Sequence, residues 1–289
     1  MRALTVLRTG PQALVEDLGR PGNAHLGVPP SGALDAPALR LANRLVGNAE
    51  SAAGVEALLG GLAVRAEASC TVAVTGPAVD VLRSGRYVGS HVPVHLGAGD
   101  VLEIGVPARG LRCYLACSGG VAVEPELGSR SADLLSGIGP APLRAGDVLP
   151  LGERAGLPVG VDVLVAPGVP DELVVPVLLG PRDDWFDDAA GQLAAGAWTV
   201  SDRSNRVGMR LTGSPLERTP TRRGAELPSE GLVTGAVQVP ASGEPVIFLA
   251  DHPTTGGYPV IGVVPPAALP SLGQARPGTP VRLTPADAS

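Results

Sequence analysis

Asp251, Thr254, Thr255 and Tyr258 fall inside one stretch, ADHPTTGGYP (250–259), between the apolar runs VIFL (246–249) and VIGVV (260–264). The chain is only 2% aromatic, so an acid, two hydroxyls and a phenol beside Gly256 and Gly257 are a concentration of reactive groups. An acid directly after an apolar strand stands where a general base or a substrate clamp would sit. The hydroxyls and the phenol supply donors, and a glycine backbone lets N–H groups approach a ligand oxygen closely. Together these groups suit the binding of a small amide or lactam. The plain alternative is a strand–loop–strand connection in which the two glycines make the turn.

Three other polar, irregular stretches carry candidate ligand-binding groups. Residues 17–35 hold Arg20, His25 and Ser31 among glycines. SDRSNRVGMR (201–210) offers Arg203, Asn205 and Arg206, forked donors for a carboxylate or phosphate. LPSEGLVTGAVQVPASGEP (227–245) holds Glu230 and Gln238. Familiar signatures are missing: the chain has neither a phosphate-binding P-loop nor a Gly-x-Ser-x-Gly nucleophile elbow. His25, His91, His95 and His252 are not spaced as a metal triad. Asp183, Asp184, Asp187 and Asp188 read as first-turn helix acids rather than a metal cluster. No metal site is expected.

Composition narrows the classes further. With 289 residues the chain can bury a large core in one or two domains. The formal net charge of −6 gives no basic footprint for nucleic acid or an anionic membrane. No apolar run is long enough to span a bilayer, and charges and Gly/Pro interrupt the N-terminus as they would not in a signal peptide. Cys70, Cys113 and Cys117 are expected as buried thiols in a cytoplasmic protein, the last two on one face of a strand. All 22 basic residues are arginine. Without lysine, the chain can carry no P-loop lysine, Schiff base or biotinyl group of its own.

The elements that must position these groups are mostly short strands. Gly 40 and Pro 30 punctuate Val/Leu/Ile runs at intervals of roughly ten residues, as in β-barrels and sandwiches. LGAGDVLEIG (96–105) is echoed by LRAGDVLPLG (143–152), each a turn into a strand. APALRLANRLVGN (36–48) is the clearest helix, with Asp35 as N-cap, Pro37 in the first turn and Gly47 as the stop. A second, shorter helix follows the acids in DDWFDDAAGQLAAGAW, after two strands bracketing a proline-rich crossing at 157–182. A last strand is expected at PVRLTP (280–285). The chain reads as mainly β, with few short helices and two β-rich lobes, 1–155 and 156–289.

Read together, EDLGRPGNAHLGVPPSGALD, LRLANRLVGN, LGSRSAD, SDRSNRVGMR, PSEGLVTGAVQVPASGEPVIFLAD and TTGGYP resemble the biotin-dependent carboxyltransferase-like family. That family is also called allophanate hydrolase subunit 2, and the C subunit of bacterial 5-oxoprolinase belongs to it. The resemblance runs from Leu4 to about Val264. It implies a cyclophilin-like β-barrel architecture. It also implies work with an allophanate hydrolase subunit 1-type partner (the 5-oxoprolinase B subunit) and with the 5-oxoprolinase A subunit. The implied reaction opens 5-oxo-L-proline to L-glutamate with ATP hydrolysis, on a nucleotide site shared with a partner. Carboxyl transfer from biotin to urea, and regulation of the antikinase-antagonist type, are the family's other activities.

On that reading Asp251 and Tyr258 are catalytic. Thr254, Thr255, Gly256, Gly257, Gln238, Arg203, Asn205, Arg206 and Arg20 bind substrate. The sequence departs from the family in having His252-Pro253 for Arg-Gln and Val260 for Lys, and in having Glu16 where Gln is common. The loss of two cationic positions favours lactam opening over carboxyl transfer.

Overall fold

The computed structural model describes residues 2–160 and 165–286. They form two compact units: Met1–Arg20 with Ser31–Val169, and Pro21–Pro30 with Pro170–Ser289. Both are mainly β, and the described residues include three short α-helices.

Unit 1 is built from two antiparallel sheets. One has six strands, in the spatial order Val148–Pro150, Ala3–Thr9, Leu62–Ala66, Val101–Ile104, Val81–Arg83 and Arg86–Tyr87. The other has five: Gln12–Glu16, Gly54–Leu58, Arg112–Cys117, Cys70–Thr75 and Pro93–Leu96. Alternation decides which side chains are shared. Cys113, Leu115 and Cys117 join Val72, Val55, Leu4, Val64 and Leu102 in one buried cluster fed by both sheets. From the opposite face of the same strands, Ala73 and Ala116 pack on Ala42, Leu45 and Val46. The three cysteines are free and buried. Burial pushes the Cys117 thiol well above its ordinary range, which keeps it protonated and unreactive.

The helix Ala36–Leu45 starts where its cap predicts. Asp35 accepts from the Ala38 N–H at 3.1 Å, and Gly47 takes a left-handed φ of 77°. Behind the cap, buried Glu56 accepts from Tyr114 Oη at 2.8 Å and from the Leu34 N–H at 3.0 Å, and Tyr114 Oη accepts in turn from the Asp35 N–H. The sequence echo is structural: Val101–Ile104 and Val148–Pro150 lie in the same sheet. In each case the preceding aspartate closes the turn, Asp100 and Asp147 accepting from the Gly97 and Arg144 N–H groups at 2.7 Å.

Unit 2 contains a closed seven-stranded barrel, in the order Leu173–Leu179, Val260–Val263, Ala236–Gln238, Val246–Phe248, Gly208–Gly213, Trp198–Val200 and Pro280–Ala286. Its neighbours pair antiparallel except at the closure, where Leu173–Leu179 runs parallel to Pro280–Ala286. Leu173, Val175 and Val177 point inward while Val174 is 53% exposed, the alternation a barrel wall requires. The acids before the second helix serve structure. Asp188 caps Ala189–Ala195 by accepting from the Gly191 N–H at 3.0 Å, and Asp184 pairs with Arg222. Of the two strands expected between 157 and 182, the second is Leu173–Leu179. The first falls across 161–164 and lies outside the described residues. No helix among the described residues is long and apolar enough to cross a membrane.

Candidate functional site

The apolar strands flanking 250–259 do not pair with each other. Ala236–Gln238 lies between them and pairs with both, Val237 opposite Ile247 on one side and Gly262 on the other. The stretch is therefore a crossing over the end of a barrel strand, not a hairpin turn. Its path is fixed by hydrogen bonds from several directions. Thr255–Gly256 pairs with Glu230–Gly231, the Leu232 N–H donates to the Thr254 carbonyl, the Val239 N–H donates to the Pro259 carbonyl, and Gln238 Nε2 donates to the Tyr258 carbonyl at 3.2 Å.

The glycines serve approach rather than turning. Neither Gly256 nor Gly257 has a left-handed backbone. A Cβ on Gly256 would stand 2.5 Å from Gln238 Nε2 and 2.8 Å from Leu232 Cδ1, so any larger residue would have to push those two side-chain ends aside.

Asp251 is fully buried and Arg206 is 2% exposed. Arg206 Nε donates to Asp251 Oδ2 at 2.9 Å and an Nη donates to Oδ1 at 3.1 Å, while the Asp251 N–H donates to the Arg206 carbonyl. Backbone and side chain thus tie the crossing to the 201–208 loop. A planar fork on a carboxylate is the strong form of such a bond. With both oxygens engaged and no exposure, this carboxylate is placed to position the loop; carrying a proton to a substrate would need access.

The same loop holds two other predicted groups. Asn205 Oδ1 accepts from the Val207 N–H at 2.9 Å and the Gly208 N–H at 3.3 Å, so its carbonyl shapes the turn. Arg203 is exposed beside it. Arg20 belongs to unit 1, where it donates to the carbonyls of Glu126 and Ser131.

Two hollows in unit 2 receive side chains of the crossing. His252 and Thr254, with Leu232, Val28 and Pro29, line one of about 240 Å³. Gly257 and Tyr258 line a larger cleft of about 650 Å³, within the roughly 300–1,000 Å³ typical of small-molecule sites. Tyr258 is 47% exposed, the catalytic candidate with open access. Thr255 is exposed and Gln238 is 6% exposed beneath it. Opposite Gly256 in the Glu230–Gly231 pairing, Glu230 accepts at both carboxylate oxygens from Arg182. The hydrogen bond and the charge of Arg182 hold that carboxyl below the usual range, so Glu230 stays an anion.

Residue types and spacing do not single out Trp185, Arg218 and Arg223, which the fold brings to this cleft. Arg218 and Arg223 line it, and Trp185 lies under the Arg218 guanidinium, 5.4 Å from its carbon to the ring centroid. The available signal was arginine density, three in the six residues of RTPTRR (218–223).

Residues 26–285 match the family model described as the carboxyltransferase domain, subdomain A and B. The chain belongs to this carboxyltransferase-domain family. It is 39% identical over 285 residues to the C subunit of the 5-oxoprolinase of Escherichia coli (strain K12), covering 96% of this chain and 89% of that one. It is also 33% identical to the urea amidolyase of Lachancea kluyveri, spanning 98% of this chain but 17% of that protein. Among solved structures, TTHA0988 superposes with a TM-score of 0.88 at 38% identity over 98% of this chain and 56% of that one. The urea amidolyase of K. lactis superposes equally well, 0.88 at 29% identity, on 18% of its length. The chain therefore spans just over half of the first of these solved chains and a small part of the second. Membership accounts for the closed barrel and the mainly β architecture.

Proposed function

We propose that this carboxyltransferase-family chain is the C-type subunit of an ATP-dependent 5-oxoprolinase, acting with A-type and B-type subunits to open 5-oxo-L-proline to L-glutamate. One observation carries the reading: the 39% identity to the Escherichia coli protein of that name extends over 96% of this chain and 89% of its relative. A whole-length match is what a shared role in such a complex requires.

A lactam is a resonance-stabilised amide and a poor electrophile at neutral pH. Its opening adds one water across the C–N bond, and ATP hydrolysis consumes a second. ATP supplies the activation of the lactam oxygen. Without lysine, this chain offers arginine forks but no P-loop lysine, so the nucleotide is assigned to a site shared with a partner. The chain's own part is binding and orientation. Tyr258 presents its phenol to the cleft as the donor to developing oxyanion charge. Asp251 and Arg206 hold the crossing that carries it, Gln238 fixes the Tyr258 carbonyl, and Gly256 keeps the approach open.

Carboxyl transfer to urea is the second reading, favoured by the fit to the urea amidolyase of K. lactis. Against it, position 260, where the family commonly carries lysine, holds a valine packed with Leu232, Val246 and Phe248. The test is to purify the tagged chain with its native partners and assay ADP and glutamate with 5-oxoproline, then ADP with urea and bicarbonate. ADP matched by glutamate supports the proposal; turnover on urea and bicarbonate alone replaces it.

A further inference from the structure

We infer that the cleft beside Tyr258 is a recognition site for a small-molecule carboxylate, read by Arg218 and Arg223. The inference deepens the lactam-opening reading and rests on it for the identity of the probe. Arg203 and Arg206 are the sequence's candidates for binding an anion. Arg206 is committed to Asp251, and the structure offers a different pair.

Arg218 is held for the task. Its guanidinium lies over the Trp185 ring, itself 3% exposed and therefore fixed in plane. Two of its five N–H groups donate to the carbonyls of Ala225 at 3.3 Å and Val239 at 3.4 Å. Among the described residues no carboxylate lies within ion-pair distance of it. The neighbouring arginines differ. Arg222, stacked on the same ring at 4.9 Å, pairs with Asp184, and Arg223 pairs with Glu217 at 3.6 Å where both are well exposed. A half-buried cation without an internal counter-ion is stabilised when an anion arrives, and a pre-set planar fork loses little entropy in binding it.

The cleft's charge and walls set the ligand class. Arg218 and Arg223 face Glu226 across the cleft lining and Glu217 pairs with Arg223. Among the described residues this leaves Arg218 as the one lining cation without a carboxylate partner, a match for a monoanion better than for a phosphate. Leu216 and Leu227 give apolar surface for a ring or short chain, and Tyr258 stands at the mouth as a donor. The shared chemistry is an oxyanion. The commitment is to a carboxylate on a small, partly apolar body.

Calorimetric titration of the intact chain tests this with three probes: 5-oxo-L-proline, 2-pyrrolidinone (the same lactam without the carboxylate) and inorganic phosphate. Wild type should bind 5-oxoproline about 10- to 100-fold more tightly than 2-pyrrolidinone. Arg218→Gln should erase that difference without changing 2-pyrrolidinone binding. Arg223→Gln, at an exposed position where folding is not at stake, should reduce it by a smaller factor. Equal binding of the two lactams, unchanged 5-oxoproline affinity in both variants, tighter binding of phosphate, or no binding of 5-oxoproline would each overturn the inference. The two proposals fail separately. A complex that turns over 5-oxoproline equally well with Arg218→Gln sinks the cleft and spares the function. Arg218-dependent binding in a complex with no 5-oxoproline turnover does the reverse.

Discussion

Arg206 and Asp251 form a two-pronged ion pair, 2.9 and 3.1 Å, with 2% and 0% of the residues exposed. A pair this deep gains little over an apolar replacement, but breaking it strands a buried charge. Asp251→Ala should destabilise unit 2 by about 3–5 kcal/mol, and the double variant Arg206→Met/Asp251→Leu should recover most of that loss. Both tryptophans, Trp185 and Trp198, belong to unit 2, so fluorescence in a urea titration follows the relevant transition. A single variant as stable as wild type would remove the pair from the account of how the crossing is held.

Gly256 supplies a second test. Gly256→Ala places a methyl where Gln238 Nε2 and Leu232 Cδ1 now stand, and overpacking of this kind costs about 1–3 kcal/mol. Because the nearest atom is the end of Gln238, the combination with Gln238→Ala should cost less than the sum of the two single changes. Strict additivity in the cycle would mean that the glycine is needed for some other reason.

Much of the frame is legible in the residues alone. Turn residues at ten-residue spacing mark the strands, Asp35 and Gly47 bound the first helix, and the repeated AGDVL marks two like-built turns in one sheet. What escapes is long-range. The apolar runs around 250–259 look like the arms of a hairpin, and only the pairing of Ala236–Gln238 with both shows a crossing. The parallel closure of the barrel joins strands a hundred residues apart and leaves no local mark. Residue types mark Asp251 and Arg206 separately, at 45 positions' distance, but no spacing rule could say that they are spent on each other. His91 precedes the strand Pro93–Leu96, buried at 1% exposure with a φ of 63°, and nothing in its local sequence marks that burial.

That histidine makes stability depend on pH. Burial pushes the His91 imidazole below its ordinary value of 6.5, and a backbone hydrogen bond at Gly76 opposes the shift only in part. Well above 6.5 the ring is neutral in both the folded and the unfolded chain, so its contribution to the pH dependence fades there. Below 6.5 the unfolded chain takes up the proton first, and stability falls at up to about 1.4 kcal/mol per pH unit until the folded group also titrates. His91→Asn removes the imidazole and tolerates the left-handed backbone. Thermal unfolding by circular dichroism from about pH 7.5 to 5 should show a shallower decline in the variant. Parallel curves would rule the imidazole out as the source.

Tyr258 is the open donor at the cleft. Tyr258→Phe in the assembled complex should lower kcat by about 10²–10³ with a smaller change in KM, as expected for a group that bonds more strongly to developing charge than to the ground state. A change in KM alone would reassign the phenol to substrate binding.

The most direct test of the central claim is the balance of ADP against glutamate, measured on the complex purified with this chain and supplied with 5-oxo-L-proline and ATP. The account predicts one glutamate for each ADP, and no ADP above background when 2-pyrrolidinone replaces the substrate. A well-formed complex that releases ADP without glutamate, or neither product, would contradict it and leave carboxyl transfer or a regulatory role as the chain's function.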